Sequence, residues 1–434
     1  MRLRYKIANT ALLLVAIATI SLLVALSYEA PCEPPPVLAA GTPSMKAAVS
    51  HCYGSPDVVS LEDVPKPIPA DDEVLVKIHA AGVNPLDWHY VRGEPYVMRL
   101  QAGFGSPKDL HLGVDYAGVV EAVGSKVTRF KPGDEVFGGT GRGTFAEYVS
   151  VRAEGNIVPK SANITFEQAA AVPVAAITAL QALRDAGGVH AGQKVLINGA
   201  SGGVGTFAVQ IAKSFGAEVT AVCSTRNVEM VRSLGADDVI DYKREDFTRG
   251  DQRYDLIIDN VGSGSLLDYR RVMQPQGIVV MVGSTEKGRW LGPLKSMIKG
   301  KVISPFVSQK AQSFFSHLDG EDLGYLADLI QAGKLKPVID RTYRLPEIRD
   351  AIRYVEEGHA RGKVVVSVET ATASPEARQS HAMLPRSTAL RSLSYFGVRT
   401  QERGRYAHRA DCTALRSCAA EALRRDRASG RAPL

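Results

Sequence analysis

Cysteine is scarce in this 434-residue chain and follows no pattern. Cys32, Cys52, Cys223, Cys412 and Cys418 stand at none of the spacings of a zinc cluster or a disulfide framework. A site of clustered thiolates is thereby excluded, and a disulfide-stapled fold is not expected. Cys223, closing an apolar strand, reads as a small buried hydrophobe. Charge of one sign is also lacking where a core could form. The formal net charge is +6, but residues 371–434 hold 12 arginines, no lysine and 5 acids, and residues 1–44 carry three basic residues against two acids. The stretch between is therefore nearly neutral, and nothing in it resembles a nucleic-acid-binding stripe. Its length suffices for two domains with substantial cores.

Charge is missing altogether from Ile7 to Tyr28, IANTALLLVAIATISLLVALSY. At about 1.5 Å per residue this run spans a hydrocarbon core of roughly 30 Å as a helix. Pro31, Pro34, Pro35 and Pro36 stop the helix beyond it. A cleaved signal peptide would place small residues close behind a shorter apolar core, whereas Val37-Leu38-Ala39 comes late, so an uncleaved anchor is the favoured reading. Cys32 lacks a lipoprotein-like approach, and lipidation there is not expected. Arg2, Arg4 and Lys6 favour a cytoplasmic N-terminus, with the rest of the chain on the far side. Beyond Glu369 lysine vanishes, arginine dominates and apolar periodicity stops. The expectation is a solvated, disordered tail, with a short basic helix at Ala419–Arg427 as the alternative.

What is present between the ends is β-rich, then alternating. From Met45, short β-branched runs (MKAAV, EVLVKIHAAGV, GVDYAGVVEAVG, FKPGDEVFG, TFAEYVSV) separated by Gly, Pro and Asp predict a small, partly closed β barrel. After Ala169 strands alternate with helices, predicting a doubly wound parallel sheet. The strands are Lys194–Asn198, Val219–Cys223, Val239–Asp241, Asp255–Asp259 and Ile278–Gly283, with a helix at Val204–Phe215. Later come a helix at Arg349–Glu357 and a closing strand at Lys363–Glu369, for which the earlier β domain is the natural host. The expected divisions are 1–44 (anchor and Pro-rich linker), 45–168 (first β domain), 169–310 (dinucleotide-binding domain), 311–369 (return to the first) and 370–434 (tail).

Strand Lys194–Asn198 runs into Gly199-Ala200-Ser201-Gly202-Gly203-Val204-Gly205 and then a helix. Small residues between strand and helix let a backbone approach a pyrophosphate, and the helix N-terminus offers free N–H groups. The acid that would grip the ribose 2′-hydroxyl of NAD is missing. Ser224-Thr225-Arg226-Asn227 follows Cys223, with no carboxylate until Glu229. Two hydroxyls and a guanidinium suit a 2′-phosphate, so NADPH is the expected cofactor.

With MKAAVSHCYGSPDVVSLEDVPKP, AAGVNPLDW, GVDYAGVVEAVGSKVTRFKPGDEVFG, AAAVPVAAITALQAL, INGASGGVG and SLGADDVIDY in order, Met45–Glu369 resembles the zinc-free, quinone oxidoreductase-like branch of the medium-chain dehydrogenase/reductase superfamily. The resemblance implies a GroES-like catalytic domain around a Rossmann domain, a homodimer, and a cofactor between the domains. Zinc-dependent members carry Cys and a His-Glu pair where this chain has Asn84 and Val114-Asp115, and three good ligands are needed for a catalytic zinc. No metal is expected. The resemblance further implies that Gly202, Gly203, Val204 and Gly205 hold the pyrophosphate, and Ser224 and Arg226 the 2′-phosphate, with Tyr242 at the adenine end. Asn260-Val261-Gly262 and Val282-Gly283 would lie near the ribose and nicotinamide, and Thr178 near the phosphates. Asn84, Asp87 and Tyr96 would line the substrate cleft, with His89 where the branch often has Tyr or Lys.

His89 is read either as proton donor or as a solvated loop histidine, Asp87 as a structural acid, and Tyr90 as packing. The expected activity is NADPH-dependent reduction of a quinone or an α,β-unsaturated carbonyl. The alternatives are a zinc-free NADP-dependent alcohol dehydrogenase-like enzyme and a non-catalytic NADPH sensor. Two expectations conflict, because NADPH is a cytoplasmic reductant while the basic flank places the enzyme body across the membrane.

Overall fold

The computed structural model describes residues 2–141, 143–262, 264–283, 288–290, 308–313 and 315–368. The arginine-rich tail, with the helix considered at Ala419–Arg427, lies outside them.

The first β domain is built on one long strand, Glu73–Val83, whose alternating Val74, Val76 and Ile78 are buried. One of its edges pairs antiparallel with Asp115–Val123, with register shifts that bend the sheet. The other edge is shared: Glu73–Lys77 pairs with Tyr148–Arg152, and Ala80–Val83 with the late strand Lys363–Ser367. Glu135–Gly139, Ile157–Pro159 and Ile339–Arg344 complete the sheet. A ribbon of Ser44–Ser50 and Val59–Pro65 is held to it by bridges at Ala47–Ala146 and Val49–His111.

The dinucleotide-binding domain is a six-stranded parallel sheet of β1 (Lys194–Asn198), β2 (Glu218–Cys223), β3 (Asp238–Asp241), β4 (Tyr254–Asp259), β5 (Met273–Met281) and β6 (Lys310–Ser313). Its order is β3-β2-β1-β4-β5-β6. Val195, Leu196 and Ile197 of β1 are fully buried, the mark of a strand covered on both faces. The helix Gly203–Ser214 buries Phe207, Ala208 and Ile211 against the sheet.

Two differences from the expected elements concern this sheet. β5 begins at Met273, ahead of the apolar run, because Gln274-Pro275-Gln276-Gly277 reads as a turn yet continues the strand through a register shift against β4. β6 carries the sheet through Ser313, past the boundary expected at 310. As a short polar edge strand, KAQS gives no apolar run to detect.

The N-terminal helix runs Arg2–Ser27, and its segment Asn9–Ser27, of mean hydropathy 2.5, is long and apolar enough to cross a membrane. One expectation is corrected: Cys32 and Cys52 form a disulfide, with Cα atoms 4.8 Å apart. The linker folds back onto the first β domain, a proximity that spacing alone does not reveal. Cys223 is buried and free, as read, and burial pushes its thiol up to about 11.

Candidate active site at the carboxyl ends of the parallel strands

The phosphate loop is shaped by close backbone approaches. Gly199 leaves β1 at φ +74°, a left-handed conformation that favours glycine. A Cβ on Gly205 would stand 2.2 Å from the Gly199 carbonyl oxygen, so only glycine lets the helix close on the loop. A Cβ on Gly202 would meet Gly199 O at an ordinary 3.5 Å, and Gly202 caps the helix in extended conformation. Val204 follows in the first turn. The loop is tied to the first β domain, since Gly362 N–H donates to Ser201 O (2.9 Å).

At the ends of β2 and β3, Asn227 joins loop to loop, its Nδ2 donating to Ser201 Oγ (2.9 Å) and Ser224 Oγ (3.2 Å). Arg226 is exposed and donates to His359 O (2.9 Å). Tyr242 presents a half-exposed ring just beyond β3, its N–H on Cys223 O. A carboxylate that the sequence reading did not weigh is close by. Asp241 accepts from Thr225 Oγ1 (2.6 Å), and that bond holds its carboxyl below the usual range.

At the ends of β4 and β5, buried Asp259 organises the turn Asn260-Val261-Gly262. Its Oδ1 accepts from Val261 N (3.1 Å), Gly262 N (2.9 Å) and Asn198 Nδ2 (2.9 Å). Val282 and Gly283 donate to Asp259 O, and a Cβ on Gly283 would strike Asn260 O. Asn260 gives Nδ2 to Asn198 O (3.0 Å), while its buried Oδ1 has no partner, as does that of Asn227. A buried amide oxygen without a donor is costly unless something supplies one. Two such atoms and a glycine loop that leaves the helix N-terminus without side chains fit a dinucleotide. Thr178 donates to Val174 O (2.6 Å) and meets Ser316 Oγ at 2.9 Å, on a helix packed against the phosphate-loop helix.

Facing the loop is a polar cluster only partly foreseen. The Lys363 ammonium, 3% exposed, donates to Asn84 Oδ1 and to Val83 O (3.2 Å), and lies 3.6 Å from Asp115 Oδ2. Asn84 Nδ2 donates to Asp115 Oδ2 (2.9 Å), and Asp115 Oδ1 accepts from Val174 N (3.0 Å). The Lys363 stem runs beneath the phosphate loop, its Cδ 3.2 Å from where a Cβ on Gly203 would sit. Burial pushes the Asp115 carboxyl up and the Lys363 ammonium down, and each opposes the other's shift by its charge. Lys363 escaped the sequence reading because it opens an apolar strand. A lysine leading a buried strand directly after glycine was the available signal.

The remaining residues expected in the cleft are placed as follows. Asp87 Oδ2 accepts from Asn84 N (2.7 Å) and caps the helix Pro85–Arg92, the structural role expected of it. His89 is not a solvated loop residue: it lies in that helix, part-buried and stacked on Trp88. Its Nδ1 is 2.7 Å from Glu94 O, which can only accept, so Nδ1 carries the proton. Burial lowers the His89 pKa below its ordinary value, with the Glu94 carbonyl and Glu356 opposing. Nε2 of the neutral ring therefore holds a lone pair. Tyr96 is buried between the Arg99 guanidinium (4.3 Å to the ring centroid) and Trp290 (5.0 Å between ring centroids). Asn84, with both amide groups engaged, orients the cluster.

Residues 70–162 match the family described as alcohol dehydrogenase GroES-like domain, and residues 234–366 that described as zinc-binding dehydrogenase. Among curated proteins, the chain is 37% identical over 366 residues to human "NAD(P)H oxidoreductase RTN4IP1, mitochondrial", covering 75% of this chain and 89% of that one. It is 36% identical to the tomato "2-methylene-furan-3-one reductase", covering 74% and 79%. The solved quinone oxidoreductase of Coxiella burnetii superposes with a TM-score of 0.63 at 33% identity, over 75% of this chain and all of that one. Sheet order, glycine cradle and relatives agree: the chain belongs to the medium-chain dehydrogenase/reductase superfamily, in its quinone oxidoreductase-like branch, and is an oxidoreductase that uses a nicotinamide cofactor.

Proposed function

We propose that the chain reduces a quinone or an α,β-unsaturated carbonyl with NADPH and without zinc. The observation that carries this reading is the Lys363–Asn84–Asp115 cluster packed under the phosphate loop, at the place where a metal-dependent relative would need ligands. Asn84 and Val114 do not fit a catalytic zinc, and among the described residues no group of three His, Cys, Asp or Glu is placed to hold a metal.

Gly202, Gly203, Val204 and Gly205 would hold the pyrophosphate, Ser224 and Arg226 the 2′-phosphate, and Tyr242 the adenine. Asn260, Val261, Gly262, Val282 and Gly283 would frame the ribose and nicotinamide, with Thr178 supporting the phosphate side. Bound there, the cofactor supplies a hydride. Lys363 fixes the height of the loop above Asn84, so donor and acceptor meet at a set separation. Without a Lewis acid, an acceptor that spreads developing charge by conjugation needs only one or two hydrogen bonds. His89, with Nε2 unprotonated at neutral pH, orients a water that donates to the acceptor oxygen. Asp87 holds the helix that carries His89, and Tyr96 closes one wall.

Attachment to a membrane by the N-terminal helix belongs to the same reading, as does a homodimer, and protease accessibility of the enzyme body decides which side carries it. The test uses the full chain in mild detergent, with and without a chelator. NADPH oxidation on addition of quinones and enones, unaffected by the chelator, is expected. NADPH binding without turnover of any acceptor would replace the reading with a sensor, and NADP⁺-dependent oxidation of simple alcohols alone would replace it with an alcohol dehydrogenase. Size-exclusion light scattering reads the oligomer.

A further inference from the structure

The C-terminal end of the apolar helix is built into the catalytic domain. Arg99 is fully buried, and all five of its N–H donors are used. Nη1 donates to Leu26 O and Tyr28 O (both 3.0 Å), Nη2 to Glu29 Oε1 (3.0 Å) and Arg92 O (3.2 Å), and Nε to Gly93 O (2.9 Å). The guanidinium is stacked between the rings of Tyr53 and Tyr96, 4.4 and 4.3 Å from their centroids. Ala30 N–H donates to Gly105 O (2.9 Å), and the Cys32–Cys52 disulfide follows. A free linker from Tyr28 to Ser44 could let the body stand on the order of 50 Å from the helix end. The clasp removes that freedom within three residues of the apolar span.

The clasped segment also holds Tyr96, the residue proposed above to wall the substrate cleft. Tyr96 N–H donates to Arg289 O (2.6 Å), and Trp290 packs edge-on against Tyr96. Beside the helix exit, Val97, Leu100, Phe104 and Trp290 expose apolar side chains. A groove of about 480 Å³ lies between Phe104 and the helix residues Ile20, Val24 and Tyr28. Side chains held this close to the end of a span lie at interfacial depth, where aromatic residues are favoured.

We propose that the Arg99 clasp seats the Val97–Phe104 rim and Trp290 on the bilayer surface, and that the enzyme takes a lipid-dissolved, long-tailed quinone through this rim. The substrate half rests on the reductase reading above. The bilayer is the occupant because the rim is continuous with a helix whose apolar side chains are exposed along the span.

Full-length protein in phosphatidylcholine vesicles is compared with a Leu100→Glu/Phe104→Glu double variant, both positions being exposed. The probes are an isoprenoid-tailed quinone dissolved in the bilayer and a tail-less water-soluble quinone. The variant is expected to lose about tenfold or more in kcat/KM for the tailed quinone, from lost apolar burial, and less than about twofold for the soluble one. Brominated lipids are expected to quench the fluorescence that Trp290→Phe removes, and to stop doing so in the double variant. Unchanged turnover of the tailed quinone in the variant, or no quenching of Trp290 in the parent, overturns the proposal. Quenching with neither quinone reduced upholds the seating of the rim and rejects the reductase reading. Reduction of the soluble quinone alone upholds the reductase reading and overturns uptake of the tailed quinone through the rim.

Discussion

The ammonium of Lys363 donates to the side-chain oxygen of Asn84 across 279 residues of sequence, and in doing so fastens the strand Lys363–Ser367 to the start of the helix Pro85–Arg92. Asp115, buried and 3.6 Å from the same ammonium, completes the cluster. Lys363→Met leaves that carboxylate without its cation, and removing one partner of a buried pair costs about 3–5 kcal/mol. Urea unfolding should show a loss of that order for Lys363→Met and a smaller one for Lys363→Met/Asp115→Asn. A double variant as unstable as the sum of the singles would show that the two charges do not interact.

Gly205 and Gly203 make a contrast within one loop. A Cβ at Gly205 meets the Gly199 backbone oxygen at 2.2 Å, whereas one at Gly203 meets the flexible Lys363 stem at 3.2 Å. Gly205→Ala should cost about 2 kcal/mol or more and abolish nucleotide binding. Gly203→Ala should retain the fold with weaker binding. Thermal melts with and without NADPH measure both.

The proposed preference for NADPH rests on the exposed guanidinium of Arg226. Removing a charge-assisted contact to a phosphate costs roughly 1.5–3 kcal/mol, so Arg226→Ala should raise the Kd of NADPH about tenfold or more and leave that of NADH unchanged. Equal affinities for both nucleotides in the parent would refute the preference.

His89 gives a pH dependence of definite sign. Its folded pKa is lowered, mainly by burial, so the unfolded chain takes up the proton first as pH falls. The stabilisation is whole above the unfolded value of about 6.5 and is lost as pH falls from there through the folded value. The melting temperature should fall less steeply between pH 7 and pH 5.5 in His89→Gln than in the parent. His89→Ala should lower kcat with little change in NADPH affinity.

On the proposed membrane attachment, the Cys32–Cys52 disulfide favours an oxidising side for the enzyme body, as does the basic flank Arg2, Arg4 and Lys6, while a need for NADPH favours the cytoplasmic side. If the body lies on the oxidising side, external protease should digest it while the membrane holding the helix is intact, and maleimide should label Cys32 and Cys52 only after reduction. Protection of the body would reverse the orientation and place it with the cytoplasmic NADPH pool.

The sequence by itself determined the local features. Buried parallel strands are near-continuous apolar runs, a strand-to-helix turn needs small residues, and a membrane-length helix needs an uncharged stretch, so β1, the Gly199–Gly205 loop and the N-terminal helix could be read from neighbouring residues. Strand β6 could not, because a polar edge strand is specified by its partner rather than by its own pattern. The cluster of Asn84, Asp115 and Lys363, the tautomer of His89, the disulfide and the five-donor Arg99 clasp were decided only by tertiary structure. Each depends on groups distant in the chain meeting at hydrogen-bond or covalent distance, and short-range periodicity carries no record of which strand edge will host Lys363 or which arginine will find five acceptors.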